Sequence, residues 1–315
     1  MPRKLELEAL EAELAALSML LDEAKQLDDP VGSIQYEQRK QELEQEIQTL
    51  RDMEMHQASL ALYFGGKPVF GSRGIAADFA GKALEHFQEI VSKQFATAEL
   101  GALGERGRIP LKDLAALMVT GVTQGSFGFL LDELNDQIEM YDTALKEMIG
   151  EVMNVIESVS SVDEIVFEEA AETLDPRTLM ALKDFFVNLD SSSATVRLVD
   201  DARDFSLDEA AVHRARIRTE ATQIEEEDTE ISGVLIGFLP EHQRFELQAT
   251  SGETIYGTAT KEATEQYSQT LKSNNPAIGK KCTAKVKERT VRPRNRPPRL
   301  VYRLLEFTTL GEDSE

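Results

Sequence analysis

The sequence predicts an α+β protein with three parts: an N-terminal antiparallel coiled-coil hairpin, a central mixed α+β domain, and a C-terminal small β-barrel of OB or SH3 type. Three observations carry that expectation. Leucines recur at heptad spacing through residues 7–21. Helix-like and strand-like periodicities alternate through the middle of the chain. Short apolar-alternating runs separated by turn residues fill the last third. The boundaries fall at 1–56, 57–224 and 225–310, with 311–315 as a tail.

In the first part Leu7, Leu10, Leu14, Leu17 and Leu21 form a seam that continues to Ala24. Asp28-Asp29-Pro30-Val31-Gly32-Ser33 breaks the pattern, and Tyr36, Leu43, Ile47 and Leu50 then share a face. The simplest structure is residues 3–27 packed on 34–54, each arm roughly 35–40 Å long. The seam is regular and the arm is acidic, so these leucines are candidate oligomerisation residues.

Residues 59–64 read as a strand, 65–68 as a turn and 75–97 as a helix with Phe79, Ala83, Phe87, Ile90 and Val91 inward. The apolar run 111–131, interrupted at Gly125-Ser126-Phe127-Gly128, reads as two strands joined by a tight turn or bulge. Helices are expected over 138–160 and, as a pair broken at Asp175-Pro176, over 163–188. A strand at 195–199 precedes a helix capped by Ser206 and running to about Ala221. Glu225-Glu226-Glu227-Asp228 reads either as a linker or as a charged lead-in to a strand. Barrel strands are expected at 229–239, 243–249, 253–259, 281–291 and 299–309, with a helix at 260–272.

The net charge is −23, yet residues 279–303 carry ten Lys or Arg against the single acid Glu288. A chain this acidic is unsuited to general nucleic-acid binding, because phosphate repulsion acts over most of its surface. The basic stretch is a local exception. Lys281, Lys285 and Lys287 alternate with Cys282, Ala284 and Val286 and so line one face of a strand. Arg289 follows them, and Arg292, Arg294, Arg296 and Arg299 surround a Pro-rich connection. Guanidinium forks suit carboxylate or phosphate, so the expected partner is an acidic protein surface, another copy's hairpin included, or nucleic acid. Lysines on an edge strand also block unwanted pairing.

Other chemistry is sparse. One cysteine, Cys282, excludes an internal disulfide and a Cys-based zinc site. No apolar run reaches membrane-spanning length and no secretory signal is recognisable, which points to a cytoplasmic protein without a membrane partner. Residues 66–73 have the glycine spacing of a phosphate loop but put Ser72 and Arg73 where Lys and Ser or Thr belong, which leaves these two as a candidate anion site and the helix cap. The Gly125–Gly128 run lacks the spacing of a nucleophile elbow and reads as backbone geometry. The acidic groups Glu168, Glu169, Glu172 and Asp200, Asp201, Asp204 match no metal-loop spacing and read as solvated faces. No cofactor, metal or catalytic residue is expected, unless residues distant in sequence assemble a hydrolase site.

The order of features resembles a poorly characterised group of bacterial proteins. In that group a strand and a helix precede a strand ending in Gly-Ser-Phe, and a small barrel closes the chain. The matching pieces are residues 60–64, 75–96, Gly125-Ser126-Phe127 and 233–307, about half the sequence. The chain departs from the group in its N-terminal hairpin and its lack of a membrane segment. The resemblance implies a bacterial origin in an accessory or defence-associated locus, and carries over no catalytic residue. The expected function is a non-catalytic cytosolic scaffold or adaptor that self-associates and docks a partner protein. The alternative is a nucleic-acid-binding component of a bacterial antiphage defence complex, acting through the basic C-terminal hairpin.

Overall fold

The computed structural model describes residues 1–101, 103, 107–123, 127–134, 141–273, 276–292 and 299–309. The chain divides into two compact units, Met1–Asp163 with Arg177–Arg216, and Glu164–Pro176 with Ile217–Glu315. The helical hairpin therefore groups with the central elements, and residues 164–176 group with the barrel. Among the described residues no helix is long and apolar enough to cross a membrane.

The hairpin comprises α1 (Arg3–Gln26) and α2 (Pro30–Asp52). Asp29 caps α2 by accepting from the backbone N–H groups of Val31 and Gly32 at 3.1 Å, and Pro30 occupies the first turn, where its missing N–H costs nothing. The run of breakers thus condenses into residues 27–29, and α2 starts earlier than position 34. Lys25 pairs with Glu37, Arg39 with Glu13, and Arg51 with Glu11, a reverse order that makes the helices antiparallel. Leu21, Ala24, Leu43 and Ile47 are buried.

The sheet of this unit follows the order β2-β3-β1-β4-β5, all antiparallel, from β1 (Ser59–Gly66), β2 (Met118–Thr123), β3 (Phe127–Asp132), β4 (Ala194–Val199) and β5 (Asp204–Leu207). The earliest strand lies at the centre, so Leu60, Ala61, Leu62 and Phe64 are fully buried. On one face Phe64 meets Phe79 of α3 (Ala77–Leu100) edge-on, with ring centroids 5.4 Å apart, a geometry worth about 0.5–1.5 kcal/mol beyond burial. On the other face the Arg197 guanidinium lies 5.5 Å from the Tyr63 ring. Arg197 also forks Asp204 at 2.8 and 2.5 Å and approaches Glu8 of α1 at 3.9 Å. Its hydrogen bonds hold the Asp204 carboxyl below the usual range. Gly128, opposite Tyr63 in the ladder, leaves room for that ring: a Cβ there would lie 2.5 Å from it. The backbone role expected for the Gly-rich run holds at this position, while Gly125 and Ser126 lie outside the described residues.

The remaining helices of the central region are α4 (Ala144–Ser160), α5 (Glu164–Thr173), α6 (Pro176–Ser191) and α7 (Glu209–Ala221). The expected break at Asp175-Pro176 separates α5 from α6. Ser206 does not cap a helix. It sits inside β5, paired with Arg197, and Asp208 is the residue whose carboxylate accepts from the Ala211 N–H at 2.8 Å. The strand was hidden because Asp204–Leu207 is four residues long and gains its ladder only from β4.

In the second unit β6 (Gln223–Leu239), β7 (Arg244–Ala249), β8 (Thr254–Ala259), β9 (Lys281–Arg292) and β10 (Arg299–Thr309) close a barrel in the order β10-β8-β7-β6-β9. The acidic run 225–228 is not a linker but the charged opening of β6, as the lead-in reading expected, and the expected boundary at 224/225 falls within that strand. β6 pairs with β9 along its first part and with β7 along its last. The α-helix α8 (Lys261–Lys272), capped by Thr260, lies between β8 and β9. Its Tyr267 stacks on Phe238 at 4.3 Å, and its Gln266 clamps both backbone groups of Phe307. The barrel core runs through Leu235, Phe245, Leu247, Val286 and Leu304.

Closure depends on the parallel pairing of β8 with β10, where Gly257 faces Tyr302. A Cβ at Gly257 would overlap the Tyr302 carbonyl oxygen, so only glycine permits this approach. Gly257→Ala is expected to destabilise the barrel unit by about 3 kcal/mol, as overpacking does. Gly81→Ala, on the exposed side of α3 with open space around it, is expected to stabilise by about 0.5–1 kcal/mol. Urea denaturation of both variants checks the pair, and a tolerated Gly257→Ala would contradict the closure geometry.

Candidate partner-binding surfaces

Strand β9 alternates as its sequence dictates: Cys282, Ala284 and Val286 point into the barrel, while Lys285 and Lys287 face outward. Its neighbour β6 alternates with opposite charge. In the ladder Glu230 faces Lys285, Asp228 faces Lys287, and Glu226 faces Arg289. Opposite charges directly across an antiparallel pair attract, and at Asp228–Lys287 and Glu226–Arg289 they meet. Lys287 lies 3.5 Å from Glu226 and 3.7 Å from Asp228. Arg289 donates to the Glu226 carboxylate through Nε at 2.9 Å and Nη2 at 2.5 Å, and its Nη1 donates to the Glu172 carbonyl at 2.9 Å. Lys285 turns to Glu306 of β10 at 3.5 Å.

The far end of the basic stretch meets α5. Arg299 bridges Glu168 at 3.1 Å and Glu172 at 2.7 Å. The hydrogen bond it donates to Glu172 raises its pKa above the ordinary guanidinium value. Glu168 is buried, so the solvated-face reading fails for it. A guanidinium beside it supplies the charge that burial demands. Arg303, on the same side of β10, is pushed below the usual value by burial and by neighbouring Arg289. Arg292 reaches Glu225 at 2.9 Å on a half-exposed surface. Lys281 is exposed at the start of β9. Arg294 and Arg296 lie outside the described residues. Among the described residues, Lys285, Lys287, Arg289, Arg292 and Arg299 are thus matched by acids of the same unit rather than displayed bare. The signal was present in the sequence: Glu226, Asp228 and Glu230 recur at the same period of two as Lys285, Lys287 and Arg289.

In the hairpin, Leu21 is buried and Leu7, Leu10, Leu14 and Leu17 are half-buried within the single chain. The exposed apolar side chains cluster instead around the turn: Met19, Leu20, Leu27, Val31 and Ile34, with Leu27 73% and Ile34 69% exposed. The candidate anion site also changes. Helix α3 starts at Ala77 with Ala76 as its cap residue, which has no side chain to accept a hydrogen bond. Ser72 precedes that cap by a full turn and does not cap the helix, and Arg73 lies over the Phe70 ring at 4.3 Å. The two are exposed, and nothing aims them at a common ligand.

One polar constellation escaped the sequence reading. His56 Nδ1 lies 3.0 Å from Asp142, whose carboxylate also accepts from Lys146 at 3.1 Å. The hydrogen bonds from His56 and Lys146 hold Asp142 below the usual carboxylate range. Nearby, Asp201 accepts from the Arg3 N–H at 2.7 Å, and burial raises its pKa. These groups line a cleft of about 290 Å³. A His–Asp contact is the geometry of an oriented general base, but no Ser, Thr or Cys lines this cleft. It joins the ends of the hairpin to α4 and to the β4–β5 turn. Among the described residues no cluster of His, Cys, Asp and Glu has metal-binding geometry.

The Glu226–Arg289 pair is largely buried, with side chains 12% and 9% exposed. Glu226→Gln leaves Arg289 and Lys287 short of a counter-charge and is expected to cost about 3 kcal/mol in urea denaturation. Arg292→Ala, at a half-exposed pair, is expected to stay within about 0.5 kcal/mol of the parent. Equal costs at the two sites would show that burial does not govern this network. Comparison with protein family models, with curated proteins and with solved structures returns no match to this chain.

Proposed function

We propose that the chain is a non-catalytic adaptor of a bacterial cytosolic complex, which self-associates through its hairpin and docks a partner protein on its barrel. The observation that carries the reading is the division of apolar residues in the hairpin. The heptad leucines are substantially covered by the chain itself, while Met19, Leu27, Val31 and Ile34 are left to solvent around the turn. A coiled-coil hairpin whose seam is filled has no need of such residues for its own fold. Val31 and Ile34 lie three apart, on one side of α2. The rim of this tip is acidic, with Asp22, Glu23, Asp28, Asp29 and Glu37. Contact between two copies would thus be apolar at its centre and repulsive at its edge.

Native mass spectrometry and sedimentation of the full chain test the assembly. The expected result is an oligomer that strengthens as salt screens the acidic rim, and that Leu27→Glu with Ile34→Glu reduces to monomer. A wild-type monomer at high and low salt would remove the self-association half of the reading.

A second reading is favoured by the strand order of the barrel. Numbered from its own first strand the order is 1-2-3-5-4, the third and fifth strands are parallel, and a helix lies between the third and fourth. This supports an OB-type barrel over an SH3-like one. Such barrels bind oligonucleotides over their second and third strands and the loops joining strands 1–2 and 4–5. Here those positions are β7 and β8, with Tyr256 72% exposed, residues 240–243, and the connection bearing Arg294 and Arg296. The reading expects salt-sensitive binding of a single-stranded oligonucleotide that Arg292→Glu, Arg294→Glu and Arg296→Glu together abolish. Absence of binding at low salt would dispose of it.

A further inference from the structure

Helix α5 carries Glu164, Glu168 and Glu172 at every fourth position, so one stripe of the helix is acidic. That stripe engages cations of its own unit. Glu164 pairs with Arg218 at 2.5 Å, Glu168 and Glu172 hold Arg299, and the Glu172 carbonyl receives Arg289. Phe167 and Ala171 on the same helix are buried, and the Arg218 guanidinium lies 5.0 Å from the Phe167 ring. The bound shape is thus that of a short amphipathic acidic helix.

We propose that the β9–β10 face of the barrel, centred on Arg289 and Arg299, is a docking surface for an acidic amphipathic helix of a partner protein, and that α5 is its occupant in cis. The inference rests on the adaptor reading and supplies the chemistry of the docked partner. Two features separate this contact from ordinary packing. Arg289 retains Glu226 whether or not α5 is present, so displacement of α5 does not strand the buried guanidinium. Every ion pair that Arg299 makes among the described residues is with α5, and Arg299 is half-exposed, so departure of α5 returns its guanidinium to water, while buried Glu168 leaves with the helix. A helix of ten residues is marginal by itself and depends on what it docks against. It is joined at both ends to segments of the first unit, and the break at Asp175-Pro176 separates it from α6. A partner helix with the same acidic spacing would replace like with like.

The test uses a fluorescent peptide of residues 161–176 added to the full chain. Weak binding is expected to the parent chain and binding about tenfold tighter to a chain carrying Glu168→Gln and Glu172→Gln, since removing the cis competitor lifts the occupancy penalty on the site. The same two substitutions in the peptide should abolish binding, as should Arg299→Glu in the chain. Because the doubly neutralised chain could lose stability, hydrogen exchange on the parent supplies an independent readout: peptide should lower the protection of α5 amides. Equal affinity for parent and neutralised chains, or unchanged α5 protection at saturating peptide, overturns the inference. So does displacement of α5 by a single-stranded oligonucleotide but not by peptide, which would identify the occupant as nucleic acid. Assembly through the hairpin tip without peptide binding by either chain defeats this inference alone; loss of both assembly and peptide binding defeats the adaptor reading with it.

Discussion

The buried pairing of Arg289 with Glu226 is the constraint on which the C-terminal unit depends. β6 runs beside the whole of β9, which sets Asp228 and Glu226 against Lys287 and Arg289. The pairing also fixes register, since a slip of one residue would turn Glu226, Asp228 and Glu230 to the opposite face from Lys285, Lys287 and Arg289. Buried ion pairs seldom add much net stability relative to apolar residues, but they penalise every alternative arrangement that separates them. Here the arrangements penalised are misregistered barrels.

That pairing changes what the basic stretch is. As a sequence it is a strong local excess of positive charge in an acidic chain. In the structure Lys285, Lys287 and Arg289 are matched across β6 and β10, and Arg299 is matched by α5. A ligand at the proposed docking surface would have to compete with carboxylates already in place. In the docking proposed above, specificity would follow from that competition, because weak or diffuse anions would not displace a helix that combines acids with buried Phe167.

The barrel was the most legible part of the fold. Its strands alternate apolar and polar residues and break at turn residues such as Ser251-Gly252, so local chemistry and tertiary structure agree there. The leucine seam also announced the hairpin, although Pro30 read as a breaker where it starts a helix. Less legible were features made by distant residues. β5 is too short to declare itself and exists because β4 offers it a ladder. The His56–Asp142 contact joins positions 86 residues apart. The α5–Arg299 contact joins a helix in the middle of the chain to its last strand, and no local pattern encodes it. The acidic stripe of α5 looked solvated because helical acids usually are; burial of Glu168 is a tertiary fact.

The central claim, that the barrel's cations are engaged in cis, is tested most directly by the solvent exchange of individual arginine Nε–H protons, followed by NMR on the intact chain. Hydrogen-bonded and largely buried, the Nε–H of Arg289 should exchange orders of magnitude more slowly than that of half-exposed Arg292. Fast exchange at Arg289, equal to that at Arg292, would show that the acidic strand does not hold the basic one, and would contradict the account.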